Sequence, residues 1–204
     1  MKKLPIKTIE RLLLYRVLLM EQQAIGKNSI HSHQLAELAN NTPAQVRRDI
    51  MASGYSGNPS TGYQIADLLF KIKERLNLDL KVKVALVGIG NLGTAILSFF
   101  SFHKTRFEIV AAFDVDTEKS NKQVFGCKTY SIKRISSIIK SKQITLGIIA
   151  TPDATAQDVA DILVASGIKG ILNFTSFPLK VPKNVKLNRI DITLELEKLA
   201  FCSQ

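Results

Sequence analysis

The sequence predicts an α/β protein with a mostly helical first domain, a parallel-sheet second domain and a final helix. Apolar residues recur at helical spacing up to residue 76. After residue 80, short β-branched runs alternate with helical stretches, and the last residues return to helical spacing. We therefore predict domains at residues 1–79 and 80–189, followed by a terminal segment at residues 190–204.

The composition narrows the classes of function. The 204 residues carry 28 Lys and Arg against 17 Asp and Glu, a net charge of +11 that suits a polyanionic partner such as nucleic acid. The two cysteines, Cys127 and Cys202, have no paired spacing and no nearby histidine, so neither a disulfide framework nor a zinc cluster is indicated. No apolar run approaches the roughly 20 residues that span a bilayer, and we expect a cytoplasmic protein without a membrane partner.

The first domain is predicted to hold four helices and a turn-rich tract. The helices are predicted at Thr8–Glu21, Gln34–Ala39, Gln45–Ala52 and Ile65–Leu76. The apolar face of the first helix is predicted to comprise Ile9, Leu12, Leu13, Val17 and Met20. Ser32 and Thr42 are expected to cap the second and third helices. The tract Ser53–Tyr63 is dense in turn residues and predicts a short hairpin, or wing.

Three helices, a wing and a helix are the order of a winged helix-turn-helix domain. In the third helix, Val46 and Ile50 are spaced to face inward. Side chains able to contact bases or phosphates would then lie outward, and the predicted DNA-contacting residues are Thr42, Gln45, Arg47 and Arg48, with Ser56, Asn58 and Tyr63 from the wing. An ordinary basic, solvated helix would show the same pattern, and this alternative stays open.

The second domain is predicted to be a doubly wound parallel sheet of Rossmann type. Buried strands are predicted at Val82–Val87, Phe107–Phe113, Ile144–Ala150 and Gly170–Phe174. Helices are predicted between them at Thr94–Phe102, Lys133–Lys140 and Ala154–Ser166. Regular alternation of strand and helix favours parallel pairing, because each helix returns the chain to the same end of the sheet.

A glycine loop, Gly88-Ile89-Gly90-Asn91-Leu92-Gly93, follows the first strand of this sheet and predicts a dinucleotide site. Gly88 permits the tight turn, Gly90 lets a pyrophosphate approach the backbone, and Gly93 lets the helix pack closely. Asp114 ends the next strand, where it would bind ribose hydroxyls and favour NADH or NAD⁺ over the phosphorylated cofactor. Val115 and the pair Thr151-Pro152 complete the predicted site. A glycine turn that binds no nucleotide, or a different one, is the alternative.

Two other chemistries are less well supported. His31 and His33 have metal-like spacing, but no carboxylate or cysteine stands beside them, so we predict no metal site. A small NAD-dependent oxidoreductase would need an acid or base and a substrate pocket. Only about 30 residues follow Phe174, and none is a histidine, so we predict that the protein is not an enzyme.

These motifs together resemble the Rex family of redox-sensing transcriptional repressors along nearly the whole chain. Residues 42–49 resemble the family's recognition helix, residues 62–63 the end of its wing, residues 87–93 its glycine loop and residues 111–116 its ribose-binding strand end. Residues 167–174 and 190–196 match further motifs.

The resemblance implies a homodimeric repressor of double-stranded operator DNA. The last helix, at about Leu194–Phe201, would be exchanged between subunits and pack near the partner's cofactor and winged helix. NADH would close the dimer and release DNA, whereas NAD⁺ or the nucleotide-free state would allow binding. The resemblance places Phe99 and Asp191 beside the nicotinamide.

The chain departs from the family pattern at three places. Ser53-Gly54 stands where the wing usually starts with Phe-Gly, Val17 stands where an arginine is common, and Phe99 replaces the usual tyrosine. In the family that arginine, that tyrosine and the aspartate matching Asp191 help couple cofactor state to domain closure. A second hypothesis therefore keeps the architecture with a different or lost effector response.

Overall fold

A computed structural model of the chain describes residues 4–58 and 60–203. The chain divides into two compact units between Leu80 and Lys81. In the described residues, no helix combines the length and the apolar character needed to cross a membrane.

The first unit consists of helices around one apolar core. In chain order its elements are α1 (Ile6–Ala24), β1 (Ser29–Ile30), α2 (Ser32–Leu38), α3 (Pro43–Ala52), β2 (Tyr63–Gln64) and α4 (Ile65–Arg75). Strands β1 and β2 pair antiparallel. The core includes Leu12 and Leu19 of α1, Leu35 of α2, Ile50 of α3 and Leu68 of α4, all without solvent exposure. The order of elements confirms the predicted winged-helix arrangement.

The inward face of α1 differs from the prediction. Leu12 is buried as expected, but Leu13, Val17 and Met20 are 40%, 50% and 48% exposed. Tyr15 turns inward instead, because its hydroxyl donates a hydrogen bond to a buried carboxylate on α3 while its ring fills the core. Hydrophobicity alone could not identify the buried face of α1, because Tyr15, the residue that orients this face, is only partly apolar.

The predicted short hairpin is reduced to one bridge, and the cap of α2 differs from the prediction. In the described part of the tract 53–63, Asn58 and Gly62 form an isolated antiparallel bridge and exchange backbone hydrogen bonds at 3.1 and 2.8 Å. Tyr63 belongs to β2, which pairs with β1 outside the tract, and its ring is buried in the core. Gly62 has a positive φ of 75°, which redirects the chain towards β1. At α2 the N-cap is His31 rather than Ser32, and its N–H donates to Gln34 Oε1 at 2.8 Å.

The second unit is a seven-stranded sheet with helices on both faces. Its strands are β3 (Val82–Val87), β4 (Phe107–Asp114), β5 (Gln123–Val124), β6 (Cys127–Ser131), β7 (Leu146–Ile149), β8 (Gly170–Asn173) and β9 (Lys186–Arg189). Its helices are α5 (Asn91–Phe102), α6 (Ile135–Lys142), α7 (Asp153–Ala165) and α8 (Ile192–Cys202). The strand order is β5-β6-β4-β3-β7-β8-β9, parallel throughout except for β5 with β6.

This topology confirms the predicted parallel, doubly wound sheet. Ala85 and Val87 pack on one face with α6 and α7, whereas Val84 and Leu86 pack on the other face with Leu97 of α5. The prediction missed β5, β6 and β9, which extend the two edges of the sheet. Strands β5 and β9 are short edge strands, and β6, between β5 and β4, has the mostly polar sequence CKTYS. None of the three therefore has the continuous apolar run that identifies a central strand.

Helix α8 has no buried residue in this single chain. Its apolar side chains are all exposed, from 43% at Leu194 to 81% at Phe201. Contact between these apolar side chains and water is unfavourable. The apolar side chains of α8 are therefore suited to packing against another protein surface.

Candidate nucleotide site and nucleic-acid interface

The glycine loop lies at the carboxyl end of β3, where the strand order reverses between β3 and β7. Gly88 has a φ of 97°, and a Cβ there would overlap the Ala150 carbonyl at the end of β7. A Cβ on Gly93 would overlap the carbonyl oxygen of Gly88, so both positions require glycine. The space beside Gly90 is open, as a bound pyrophosphate requires. Ligands of doubly wound sheets bind at such a switch point.

The start of α5 provides the polar groups of this loop. The helix begins at Asn91 with Gly90 as its N-cap, earlier than the predicted start at Thr94, and no side chain caps it. Its first N–H groups and the positive end of its dipole therefore remain available to an anion. Ile89 is buried, whereas Asn91 and Leu92 are exposed.

Asp114 joins the loop to the end of β4. The carboxylate is 9% exposed, and its Oδ2 accepts the N–H of Ile89 at 2.7 Å. Its Oδ1 accepts the N–H of Asp116 at 3.0 Å. Each oxygen keeps a further lone pair, so the carboxylate can still accept ribose hydroxyls. Val115, beside it, is 74% exposed.

Thr151 follows β7 on the other side of the loop. Its Oγ1 is buried and has no hydrogen-bond partner within the described residues. A buried hydroxyl without a partner is costly, and a ligand or water that bonds to it would remove that cost. Pro152 is the N-cap residue of α7. The orphaned hydroxyl, the open space at Gly90 and the uncapped helix fit a dinucleotide.

Phe99 and Asp191 were predicted beside the nicotinamide. The Phe99 ring is 51% exposed and stacks on His103 with 4.2 Å between ring centroids. Asp191 caps α8 by accepting the N–H of Leu194 at 3.0 Å, and it pairs with Arg189 at 3.2 Å. The contacts described for these two side chains are with their own neighbours, so their place at the site stays a prediction.

Helix α3 presents its basic side chains outward. Val46 and Ile50 are fully buried, which confirms their predicted inward orientation. Arg47 and Arg48 are exposed; Arg47 Nη1 donates to Ser32 Oγ at 3.1 Å, and Arg48 Nε donates to its own helix. Thr42 caps the helix by accepting the N–H of Gln45 at 3.2 Å. Both guanidinium groups therefore remain accessible on the surface of the helix.

A buried ion pair that the sequence analysis missed joins α3 to α1. Asp49 is 2% exposed and accepts Arg11 Nε at 2.6 Å and Arg11 Nη2 at 2.8 Å. Tyr15 Oη donates to the same carboxylate at 3.1 Å, and Gln45 Nε2 at 3.0 Å. Burial disfavours the charged carboxylate, but these hydrogen bonds outweigh it and hold the pKa of Asp49 below its usual range. Gln45 is thus partly engaged in positioning the helix.

Of the three wing residues predicted to contact DNA, two are exposed and one is buried. Ser56 and Asn58 are exposed, and Asn58 Oδ1 accepts the Ser60 N–H at 2.9 Å. Tyr63 lies in the core, where burial raises the pKa of its phenol. The expectation that Tyr63 contacts DNA does not agree with this position, because a ring that faces the core cannot also face a groove.

The metal prediction concerned His31 and His33. Their rings stack with centroids 5.6 Å apart. Among the described residues, no group of three or more His, Cys, Asp or Glu side chains is arranged to hold a metal ion.

Comparison with known proteins assigns the chain to a family. Residues 3–50 match the family model "Putative DNA-binding protein N-terminus", and residues 79–177 match "CoA binding domain". The redox-sensing transcriptional repressor Rex of Limosilactobacillus reuteri is 40% identical over 98% of this chain and 94% of its own length. The chain belongs to the Rex family. Rex proteins are transcriptional repressors, which removes the oxidoreductase alternative.

Solved structures of a Rex-family repressor agree in fold. RSP in complex with β-NAD⁺ and operator DNA has a TM-score of 0.91 at 29% identity, covering 99% of this chain and 93% of that one. RSP in complex with β-NADH has a TM-score of 0.87 at the same identity, covering 99% and 95%.

The Arg11–Asp49 pair leads to a stability prediction. Replacing Arg11 by alanine leaves a buried carboxylate without its counter-charge, and we expect the free energy of unfolding to fall by about 3 kcal/mol. Urea unfolding followed by circular dichroism measures the change. Lys7→Ala removes the same charge from an exposed position of the same helix and should have little effect. Equal effects of the two substitutions would contradict a structural role for the ion pair.

The lowered pKa of Asp49 gives this stabilisation a pH dependence. The contribution is complete above the unfolded-state pKa of about 3.9 and is lost as the pH falls through the lower folded-state pKa. The stability advantage of the wild type over Asp49→Asn should therefore shrink as the pH falls from about 5 to about 2. Urea titrations across this range measure it, with Glu37→Gln, at an exposed position, as control. A constant advantage would show that the carboxylate charge is not what stabilises the unit.

Proposed function

We propose that this chain is a redox-sensing repressor that binds double-stranded operator DNA in the cytoplasm and releases it when NADH binds. The observation that carries the proposal is the contact between Asp114 and Ile89, which holds the carboxylate predicted to bind ribose against a glycine loop. The same chain presents Arg47 and Arg48 on an exposed helix face. A loop suited to a nucleotide and a helix face suited to DNA, in one member of a repressor family, both support the proposal.

The proposed nucleotide site comprises the loop residues, the ribose carboxylate and the end of β7. Gly88, Ile89, Gly90, Asn91, Leu92 and Gly93 would hold the pyrophosphate, Asp114 and Val115 the adenosine, and Thr151 and Pro152 the nicotinamide side, with Phe99 and Asp191 nearby. An acidic residue at the ribose favours NADH and NAD⁺ over phosphorylated cofactors. The relative RSP has been solved with each of these two nucleotides.

The proposed DNA interface is centred on α3. Arg47 and Arg48 would contact base edges or phosphates, with Thr42 and Gln45 on the same helix and Ser56 and Asn58 from the wing. Since Thr42 already caps the helix and Gln45 already bonds to Asp49, the two arginines are the strongest candidates. We retain Tyr63 only as a core residue that supports the wing.

The proposed working form is a homodimer with exchanged terminal helices. Two apolar surfaces of the single chain support it: the exposed face of α8, and the stripe of Leu13, Val17 and Met20 on α1. Both surfaces would be covered if residues 190–204 of one subunit packed on the other. An isologous dimer would also present two recognition helices to two half-sites.

Release by NADH requires that the reduced nucleotide prefer a dimer shape that DNA disfavours. A ligand shifts such an equilibrium only by the difference in its affinity for the two shapes. A second candidate keeps the architecture with a different effector response. It is favoured by the pairing of Asp191 with Arg189 at 3.2 Å, and by Val17 and Phe99, which stand where the family resemblance leads us to expect an arginine and a tyrosine.

Fluorescence anisotropy with a labelled promoter fragment of this chain's own gene tests the proposal. We expect NADH to weaken DNA binding by about tenfold or more and NAD⁺ to leave it unchanged, with two chains bound per duplex. The Asp114→Ala variant should bind DNA normally and lose the NADH effect, because the substitution removes the ribose contact. NADH that binds the protein without weakening DNA binding would favour the second candidate. Equal loss of DNA and NADH binding in Asp114→Ala would contradict the separation of the two sites.

The two arginines of α3 can be tested separately. Arg47→Ala and Arg48→Ala should each weaken operator binding by about 1–3 kcal/mol if the side chain reads a base. If the side chain contacts a phosphate instead, the slope of log K against log salt should fall by about 1. Anisotropy titrations at several salt concentrations distinguish the two roles. Lys71→Ala, which removes an exposed charge from α4, is the control, and an equal effect there would indicate only a general loss of charge.

A further inference from the structure

The backbone of Lys119 is fixed beside the predicted ribose site. A short 3₁₀ turn, Thr117–Lys119, follows β4, with the side chain of Asp116 accepting the N–H of Glu118 at 2.9 Å. The carbonyl of Lys119 accepts the hydroxyl of Thr129 at 2.6 Å, and Thr129 is fully buried in β6. Strand β6, which the sequence analysis missed, thereby holds Lys119 next to the end of β4.

The ammonium group of Lys119 faces two carboxylates without hydrogen-bonding to either. Its Nζ lies 3.8 Å from Asp114 Oδ2 and 3.9 Å from Asp116 Oδ2, and the side chain is 43% exposed. Hydrogen bonds of this kind are about 2.7–3.2 Å long, so these are ion pairs at longer range. Within the described residues the three N–H donors of this group have no hydrogen-bond acceptor, and they can bind a ligand at Asp114.

The charges at this end of β4 decide which adenosine ribose is accepted. The Asp114 carboxylate can accept hydrogen bonds from the hydroxyl groups of an unmodified ribose, and its negative charge repels a 2′-phosphate. Asp116 adds a second negative charge to the same turn, whereas Lys119 supplies one positive charge and free donors. An ammonium group can donate to a ribose hydroxyl oxygen, and it attracts a phosphate more strongly because that interaction is charge-assisted.

We propose that Lys119 is a specificity-determining residue of the nucleotide site, which donates to the adenosine ribose and moderates the rejection of a 2′-phosphate. The inference rests on the proposed nucleotide site. It predicts that the chain binds NADPH measurably, although more weakly than NADH, and that the cation at residue 119 is responsible.

Equilibrium titrations of the full chain with NADH and NADPH test this inference. The chain has no tryptophan, so the fluorescence of the reduced nicotinamide can be followed without that background. In Lys119→Ala we expect NADPH to bind about tenfold more weakly and NADH to change by less than about threefold. Lys119→Arg should restore NADPH binding, because it keeps the positive charge. Lys122→Ala removes the same charge from an exposed residue nearby and should leave both affinities within about twofold.

The possible outcomes separate this inference from the proposed function. Equal changes for NADH and NADPH in Lys119→Ala, no change for either, or the same preference shift in Lys122→Ala would overturn the role of Lys119 alone. Undetectable NADPH binding by a wild-type chain that binds NADH would also overturn it. A wild-type chain that binds neither nucleotide would overturn the proposed nucleotide site and this inference with it.

Discussion

The hydrogen bond from the Ile89 N–H to the Asp114 carboxylate is the contact on which the nucleotide-binding half depends. It joins the glycine loop after β3 to the end of β4. On its other side the loop packs backbone to backbone against Ala150, because Gly88 has no side chain to separate them. The loop therefore cannot move without disturbing both neighbouring strands. This constraint keeps the space beside Gly90 open, at the carboxyl ends of neighbouring strands, where the proposed nucleotide would bind.

The DNA-binding half depends on a buried carboxylate in a similar way. Asp49 is surrounded by donors from α1 and from its own helix, so its charge is compensated and the orientation of α3 is fixed. The remaining polar groups of α3 are then directed outward, where Arg47 and Arg48 are accessible. A buried ion pair of this kind is weak evidence for stability, but it specifies one packing of two helices over others.

The exposed apolar surfaces of the single chain are the ones that the proposed dimer would cover. Helix α8 buries nothing, and α1 exposes Val17 and Met20 beside its buried face. If a dimer covers these surfaces, their burial stabilises both the subunits and the dimer. A ligand that changes the geometry of that dimer can then change DNA binding. Val17 lies on this exposed stripe of α1, so the proposed dimer would also cover that residue.

The sequence by itself determined the order of the helices and of the four central strands, the glycine loop, Asp114 and the outward arginines of α3. These features depend on local rules: helical or strand periodicity, and backbone turns that only glycine permits. Only the tertiary structure decided that Tyr15 faces inward on α1, that Tyr63 belongs to the core, and that β6 brings Lys119 to Asp114. The physical reason is that the two tyrosines are positioned by partners distant in the chain, and Lys119 by a hydrogen bond from Thr129 of β6, a strand that no apolar run marks. Tyr15 and Asp49, for example, are 34 residues apart, and no local pattern records their hydrogen bond.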